Sequence, residues 1–330
     1  MTRRQKVGKG RRIETLTTNT IPASQKEFHT IRQGTVSNTL TKMTTKEGRN
    51  TEVNTITRTA ITTKGELQLA LFNYTGGLRG FRTTTYQLLD TLTVVLTEGG
   101  AKHRKLSLSI KDLARMRGLK DLKALRQQVE EDLNAIWNSE ITYKKTKIRI
   151  LSAMTEDKPI KNGFLYVSFT EEFYNLLLGY PVMPYPEQLL EINSKKNPNS
   201  YYFLRKISEH KNMNVGKPNE DILSVETLLA SSSEMPTIEE VMQAGQHVDQ
   251  RIISRFERDM DAIADTLTWE YCHSNATPLT DEEISSMNYE TFKNLLIKIT
   301  WNNYPDQTAR LERKAERIAK AKRKKKTSKK

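Results

Sequence analysis

The sequence predicts an α+β fold of two tandem winged-helix domains, flanked by basic, disordered N- and C-terminal tails. Three observations lead there: a duplicated motif, the order of apolar periodicities around each copy, and the distribution of charge. Val129-Glu130-Glu131-Asp132-Leu133-Asn134-Ala135-Ile136 recurs as Phe256-Glu257-Arg258-Asp259-Met260-Asp261-Ala262-Ile263, with apolar, acidic and small positions in the same order. Upstream, Leu108-Ser109-Ile110-Lys111-Asp112-Leu113-Ala114 has its counterpart in Leu223-Ser224-Val225-Glu226-Thr227-Leu228-Leu229. Each copy reads as a capped short helix, a turn, a longer helix and a β-ribbon.

Taken in order, residues 1–60 are basic and then threonine-rich, with Thr15, Thr17, Thr18 and Thr20 opening a series that runs to Thr62 and Thr63, so a mobile arm with some strand is expected. The first winged-helix domain is expected over 61–180. Leu67, Leu69 and Leu71 alternate as a half-buried strand that Gly76-Gly77 ends. Leu88, Leu89, Leu92, Val95 and Leu96 share one helical face, and Gly99-Gly100 stops that helix. Leu106-Ser107-Leu108 is a short strand; Ser109 caps the next helix and pairs with Asp112 as a capping box. Gly118 supplies a turn, and Asp121 caps a long helix whose buried face is Leu122, Leu125, Val129, Leu133 and Ile136. Residues 141–150 alternate around a basic tip, the pattern of a hairpin wing, and a strand (164–169) and a helix (171–178) complete the domain.

Pro181, Pro184, Pro186 and Pro198 mark 181–198 as a proline-rich linker, with one short helix over 187–192. The second winged-helix domain is expected over 199–305. It opens with a helix around Tyr201, Leu204 and Ile207, and Ser224 caps the next. An insertion over 234–249 precedes a long helix with Ile253, Phe256, Met260 and Ile263 on its apolar face. Leu267, Trp269 and Tyr271, then Leu295, Ile297, Ile299 and Trp301, alternate as the strands of a larger wing, with an acidic helix starting at Thr280-Asp281-Glu282-Glu283 between them. Residues 306–330 form a basic tail, helical along Leu311, Ala315 and Ile318 or a disordered lysine-rich end.

The formal charge is +14. Residues 1–12 carry +6 and 310–330 carry +10, which leaves the body, 13–309, at −2. Such tails attract phosphate without reading sequence, or merely solubilise. Inside the body, Lys102, Arg104, Lys105, Lys111, Arg115, Arg117, Lys120, Lys123 and Arg126 stand against only Asp112 and Asp121, a net +7 in 25 residues over the first helix-turn-helix. A long helix fits the DNA major groove and its N-terminal residues reach base edges. Lys123 and Arg126 are the expected donors to guanine and Gln127 the partner for adenine. Arg115, Arg117 and Lys120 are expected on phosphate, and Lys144, Lys145 and Lys147 place the wing on the flanking backbone. The competing view, a solvated helix face, applies most to the lysines. Arg251, Arg255 and Arg258 are the base-contacting candidates of the second domain, unless Glu257, Asp259 and Asp261 pair with them. The acidic stretch 274–290 repels phosphate and suits a protein contact better.

No catalytic constellation is present in the sequence. The five histidines, His29, His103, His210, His247 and His273, show no metal-binding pair spacing, which speaks against a metal-dependent nicking site. No phosphate-binding Gly-rich loop ending in Gly-Lys-Ser/Thr occurs. Neither cofactor nor metal is expected. The single cysteine, Cys272, reads as a small strand residue and excludes an intramolecular disulfide. No apolar run reaches transmembrane length, so a cytoplasmic, nucleoid-associated protein without a membrane partner is expected.

Over 65–310 the chain resembles the theta-type plasmid replication initiators that bind repeated origin sequences. It is similar in particular to the initiator-like proteins of plasmids and integrative elements in Gram-positive bacteria. The segments that carry this are Leu119-Lys120-Asp121, Met183-Pro184-Tyr185-Pro186, Asn197-Pro198-Asn199-Ser200-Tyr201-Tyr202 and Trp269-Glu270-Tyr271-Cys272-His273-Ser274-Asn275. The resemblance implies double-stranded DNA as partner (origin repeats and the protein's own promoter), non-catalytic origin opening, recruitment of a host initiator or replicative helicase, and a repressing homodimer. It also implies dimerisation through the first domain and base contacts through the second, whereas here the more basic helix lies in the first. A transcriptional repressor with the same parts, a protein-interaction adaptor with non-specific DNA-binding tails and, least favoured, a nickase remain the alternatives.

Overall fold

Strand pairing across long sequence distances organises this α+β chain. The computed structural model describes residues 27–41, 55–62, 65–72, 81–152, 159–232, 234–309, 311–312 and 316. The first elements are strand β1 (Phe28–Arg32), helix α1 (Thr35–Leu40) and the hairpin β2 (Thr55–Thr62)–β3 (Gly65–Phe72). Helix α2 (Thr83–Glu98) leads to β4 (Lys105–Ser109), α3 (Ile110–Met116) and α4 (Leu122–Trp137). A hairpin β5 (Ser139–Tyr143)–β6 (Thr146–Arg149), strands β7 (Ile160–Lys161) and β8 (Phe164–Ser168), and α5 (Glu171–Leu178) follow. Next come β9 (Val182–Pro186) and α6 (Gln188–Glu191). The second half contains α7 (Ser200–Asn214), β10 (Ile222–Ser224), α8 (Val225–Leu229) and α9 (Ile238–Gln243). A π-helical turn, Asp249–Ile253, runs into α10 (Ser254–Asp261), and β11 (Leu267–Cys272), α11 (Asp281–Ser285), α12 (Tyr289–Asn294) and β12 (Leu296–Trp301) follow.

Local chemistry accounts for most boundaries. Ser109 Oγ accepts from the backbone N–H groups of Lys111 and Asp112, and Asp121 Oδ1 from those of Lys123 (2.9 Å) and Ala124 (3.0 Å). Each such cap stabilises its helix by about 1 kcal/mol. The expected capping box at Ser109 is not closed, because Asp112 accepts instead from the Arg115 guanidinium at 2.9 Å. Thr280 and Glu283 do form a reciprocal box at the start of α11. Leu125, Val129, Leu133 and Ile136 bury one face of α4, and Ile253, Phe256, Met260 and Ile263 bury the equivalent face of the second long helix. The Lys144-Lys145 turn joins β5 to β6 as a two-residue hairpin, with Tyr143 opposite Thr146.

In the second half, β10, β12 and β11 form one three-stranded antiparallel sheet in that order, with α8 through α10 between its first two strands in sequence. In the first half the strands fall into two sheets. β4, β8 and β7 make one three-stranded sheet, while β5–β6 joins β2–β3 in a separate four-stranded sheet of order β2-β3-β5-β6. The hairpin expected over 141–150 therefore forms, but it extends the sheet of the leucine-alternating strand.

Two expectations about the connecting segments change. Residues 28–41, placed within a mobile arm over 1–60, form β1 and α1, and 55–62 form β2. β1 pairs antiparallel with β9, Phe28 opposite Pro186 and Arg32 opposite Val182. Pro184 and Pro186 are tolerated there because a two-stranded ribbon leaves each strand an unpaired side. Residues 182–186, placed in a linker, are thus a strand, the short helix expected over 187–192 forms as α6, and Tyr185, Leu189 and Leu190 are buried. β1 also hydrogen-bonds to the end of α2 through Thr30 N–H to Glu98 and Arg32 N–H to Thr97, and Phe28 packs against Trp301 and Tyr304. This strap touches both halves. The tail readings over 1–12 and 317–330 lie outside the described residues.

The halves share one hydrophobic core, and a polar cluster sits where they meet. The Asp90 carboxylate on α2 accepts from Tyr185 Oη (2.7 Å), Tyr201 Oη (2.8 Å) and the Arg205 guanidinium, the last two on α7. Burial opposes the Arg205 charge, but Asp90 and the two tyrosines together raise its pKa above the ordinary value.

Candidate nucleic-acid interface

The duplicated motif proves to be architectural. Asp132 and Asp259 occupy the same place in the two copies, and both are fully buried. Asp132 accepts from Thr85 Oγ1 (2.7 Å) and Thr84 Oγ1 (3.0 Å) in the first turn of α2. Asp259 accepts from the backbone N–H (3.0 Å) and side-chain amide (2.6 Å) of Asn199, the residue that caps α7. In both halves, therefore, a carboxylate on the long helix is seated at the N-terminus of the half's opening helix, where the helix dipole favours negative charge. Burial raises the Asp132 carboxyl above its ordinary value, with the Thr85 hydrogen bond and the Arg117 and Arg82 charges opposing it. The clamp fixes each long helix against the helix behind it and leaves the opposite face free for a ligand.

On α4 that free face is basic. Lys120 just before it and Lys123, Arg126 and Gln127 on it are exposed. The spacing of Lys123, Arg126 and Gln127 sets them on one side of the helix. Lys120, Lys123 and Arg126 have no ion-pair partner among the described residues, so their charge is available. Gln127 donates to Glu131 at 3.3 Å, a bond weak enough to be exchanged for a base edge. Arg115, at the end of α3, is exposed and pairs with Asp112.

Arg117 corrects the sequence expectation. It points inward, is 6% exposed, and donates from Nη2 to Gln87 Oε1 at 2.9 Å. Desolvation by burial lowers its pKa, and the nearby Asp132 carboxylate opposes that shift. A guanidinium so placed cannot reach phosphate; it supports the turn between α3 and α4 from behind. Residue type and spacing gave no warning, because Arg115 and Arg117 differ only in which side of the last turn of α3 they leave.

The hairpin turn bears two exposed lysines in unusual backbone. Lys144 and Lys145 have φ of 51° and 66°. Positive φ at both central positions belongs to the tight hairpin turn that favours Asn-Gly, and left-handed backbone costs a residue with a side chain roughly 1–2 kcal/mol. Strain of this kind collects at functional positions. Lys144 lies 5.5 Å from the Tyr143 ring centroid, and Lys147 pairs with Glu140 at 3.2 Å.

The second long helix is less open. Arg258 gives two hydrogen bonds to Asp259 (2.9 and 2.8 Å), so the pairing alternative holds for it and it is a poor base reader. Glu257 and Asp261 are engaged by Tyr271 Oη and Trp269 Nε1, which leaves Arg251 and Arg255 without an ion-pair partner among the described residues. Arg251 is exposed within the π-helical turn and Arg255 is half-buried. Asp281, Glu282, Glu283 and Glu290 are exposed between β11 and β12.

Among the described residues no helix is long and apolar enough to cross a membrane. No protein-family model and no curated protein matches the chain. Among solved structures it is similar to domains 2 and 3 of RctB. One crystal structure of these domains, a selenomethionine derivative, has 10% identity and a TM-score of 0.47, over 77% of this chain and 93% of that one. Another has 12% identity and a TM-score of 0.41, over 76% and 92%.

Proposed function

We propose that the chain is a non-enzymatic, sequence-specific DNA-binding replication initiator built from two winged-helix domains. The first domain spans α2 to α5 and reads the major groove through α4; the second spans α7 to β12 and adds Arg251 and Arg255. The observation that carries the DNA reading is the exposed set without ion-pair partners among the described residues, Lys123 and Arg126 on the face of α4 that the core does not use and Lys120 just before that helix. The strained Lys144-Lys145 turn favours a wing that meets the phosphate backbone. The replication part rests on the resemblance of the sequence segments to theta-type initiators. In that reading the exposed acidic stretch between β11 and β12 faces a protein, the host initiator or helicase, because it repels phosphate.

The test is binding of the full chain to fragments of the DNA that encodes it, at about 150 mM salt, where tail-driven attraction is weakened. Lys123→Ala and Arg126→Ala are each expected to cost about 1–3 kcal/mol on the preferred fragment. Arg115→Ala lowers the slope of affinity against salt by about one phosphate contact, and Arg117→Ala leaves that slope unchanged. Equal binding to every fragment, indifferent to Lys123 and Arg126, refutes the reading. Maintenance of an origin plasmid supplied with this protein alone separates an initiator from a transcriptional repressor.

A further inference from the structure

Two sets of hydrogen bonds, joined through the backbone of α6, link the turn of the first helix-turn-helix to the end of the second long helix. Arg117, in that turn, donates to Gln87 Oε1 at 2.9 Å. Gln87, buried on α2, donates from Nε2 to the carbonyls of Leu189 and Ile192, both at 3.0 Å, at either end of α6. The neighbouring side chain on α6, Gln188, donates from Nε2 to the carbonyl of Ala262 at 3.2 Å. Ala262 is the C-terminal cap of α10. Gln188 Oε1 in turn accepts from Thr266 Oγ1 at 2.6 Å. Each amide thus uses its donor and its acceptor side in one orientation, and a shift of an ångström breaks several bonds at once.

We infer that α6 is a spacer that fixes the separation and rotation of the two DNA-reading helices. Gln87 and Gln188 are then positioning residues that set the half-site spacing the chain accepts. The inference rests on the two-domain DNA reading above. The stretch 181–198 would, as a flexible linker, allow an end-to-end distance of roughly 25 Å with wide variation. Instead β9 is paired with β1, Leu189 and Leu190 of α6 are buried, and the Asp90 cluster ties α2 to α7. On B-DNA one inserted base pair moves a half-site about 3.4 Å along the axis, and five put it on the opposite face, since a turn takes about 10–10.5 base pairs. A fixed reader rejects both changes; a tethered pair of readers follows them.

Footprinting of the full chain defines the two half-sites, and scrambling each in turn shows whether both are needed. Affinity is then measured on DNA with one, two and five base pairs inserted between them. The wild type is expected to lose at least about tenfold on each insertion. Gln188→Ala, half-buried and the milder change, and Gln87→Leu are expected to bind the native spacing within a few-fold of wild type. On the inserted sites they are expected to lose less than about threefold. A merely structural role would lower binding equally on all spacings, and that result, or free tolerance of insertions by the wild type while both half-sites are needed, overturns the inference. If scrambling one half-site has no effect, the two-domain DNA reading itself fails. A second measurement needs no DNA: spin labels at Glu130→Cys and Ser254→Cys, with Cys272→Ala, report the distance between the long helices. One narrow distribution that broadens in Gln188→Ala supports fixed geometry, and a broad wild-type distribution overturns it.

Discussion

Removing the Asp90 carboxylate tests whether the joint between the halves is as tightly determined as its hydrogen bonds imply. Asp90 is 5% exposed and Arg205 4%, and the carboxylate also satisfies the hydroxyls of Tyr185 and Tyr201. In Asp90→Ala the guanidinium stays buried without its partner, which costs about 3–5 kcal/mol, and the two stranded hydroxyls push the loss toward the upper end of that range. A loss of this size is a large fraction of the roughly 5–15 kcal/mol that holds an ordinary domain together. Asp90→Leu combined with Arg205→Met removes both charges and returns apolar volume, so the double variant is expected to be more stable than Asp90→Ala. The coupling in a double-mutant cycle is expected to reach at least about 2 kcal/mol. Equilibrium urea unfolding, followed by circular dichroism and tryptophan fluorescence, provides the measurement. The wild type is expected to unfold in one transition, because the halves share their core. A loss below about 1 kcal/mol for Asp90→Ala, or additivity of the two single changes, would refute the reasoning.

The raised pKa of Asp132 makes a prediction with a definite sign. A carboxyl whose folded pKa lies above its ordinary 3.8 holds its proton more tightly in the folded chain, so its contribution favours folding below that value and is lost as pH rises through the folded pKa. Asp132→Asn has no such loss, so its stability relative to wild type should improve between pH 3.5 and pH 7; parallel urea-midpoint curves for the two proteins would contradict this. Replacing Lys144-Lys145 by Asn-Gly puts residues that tolerate positive φ in the same turn and is expected to raise stability by about 1–2 kcal/mol while weakening DNA binding and its salt slope; unchanged binding would remove the turn from the interface. Gly34 faces the Tyr180 ring, and a Cβ there would lie 2.3 Å from a ring carbon. Gly34→Ala is therefore expected to cost about 1–3 kcal/mol and to open the β1 strap to limited proteolysis, and wild-type protease resistance would show that the strap does not depend on this contact.

Much of the fold is legible along the chain because its signals are local. Ser109, Asp121, Ser224 and Thr280 cap helices where their hydroxyl or carboxylate meets the next free N–H groups, and Glu171–Leu178 begins and ends where the sequence predicts. The buried faces of the two long helices follow the 3.6-residue period, and β11 and β12 pair as their alternation suggests. The basic face of α4 is legible for the same reason: residues that the apolar stripe does not claim must look outward. The sequence alone thus determined the long helices, several of their N-caps, and which side of α4 meets solvent. Tertiary structure decided the rest. Threonine-diluted β1 becomes a strand only because β9, some 150 residues later, supplies its partner. Arg117 turns inward because Gln87, thirty residues earlier, offers a buried acceptor, whereas Arg115 finds Asp112 within its own turn. The repeated aspartates look like helix-surface acids until the first turns of α2 and α7 close over them. In each case the deciding partner lies outside the window over which a periodicity or a cap can be read, so the choice between interface and scaffold was made by packing.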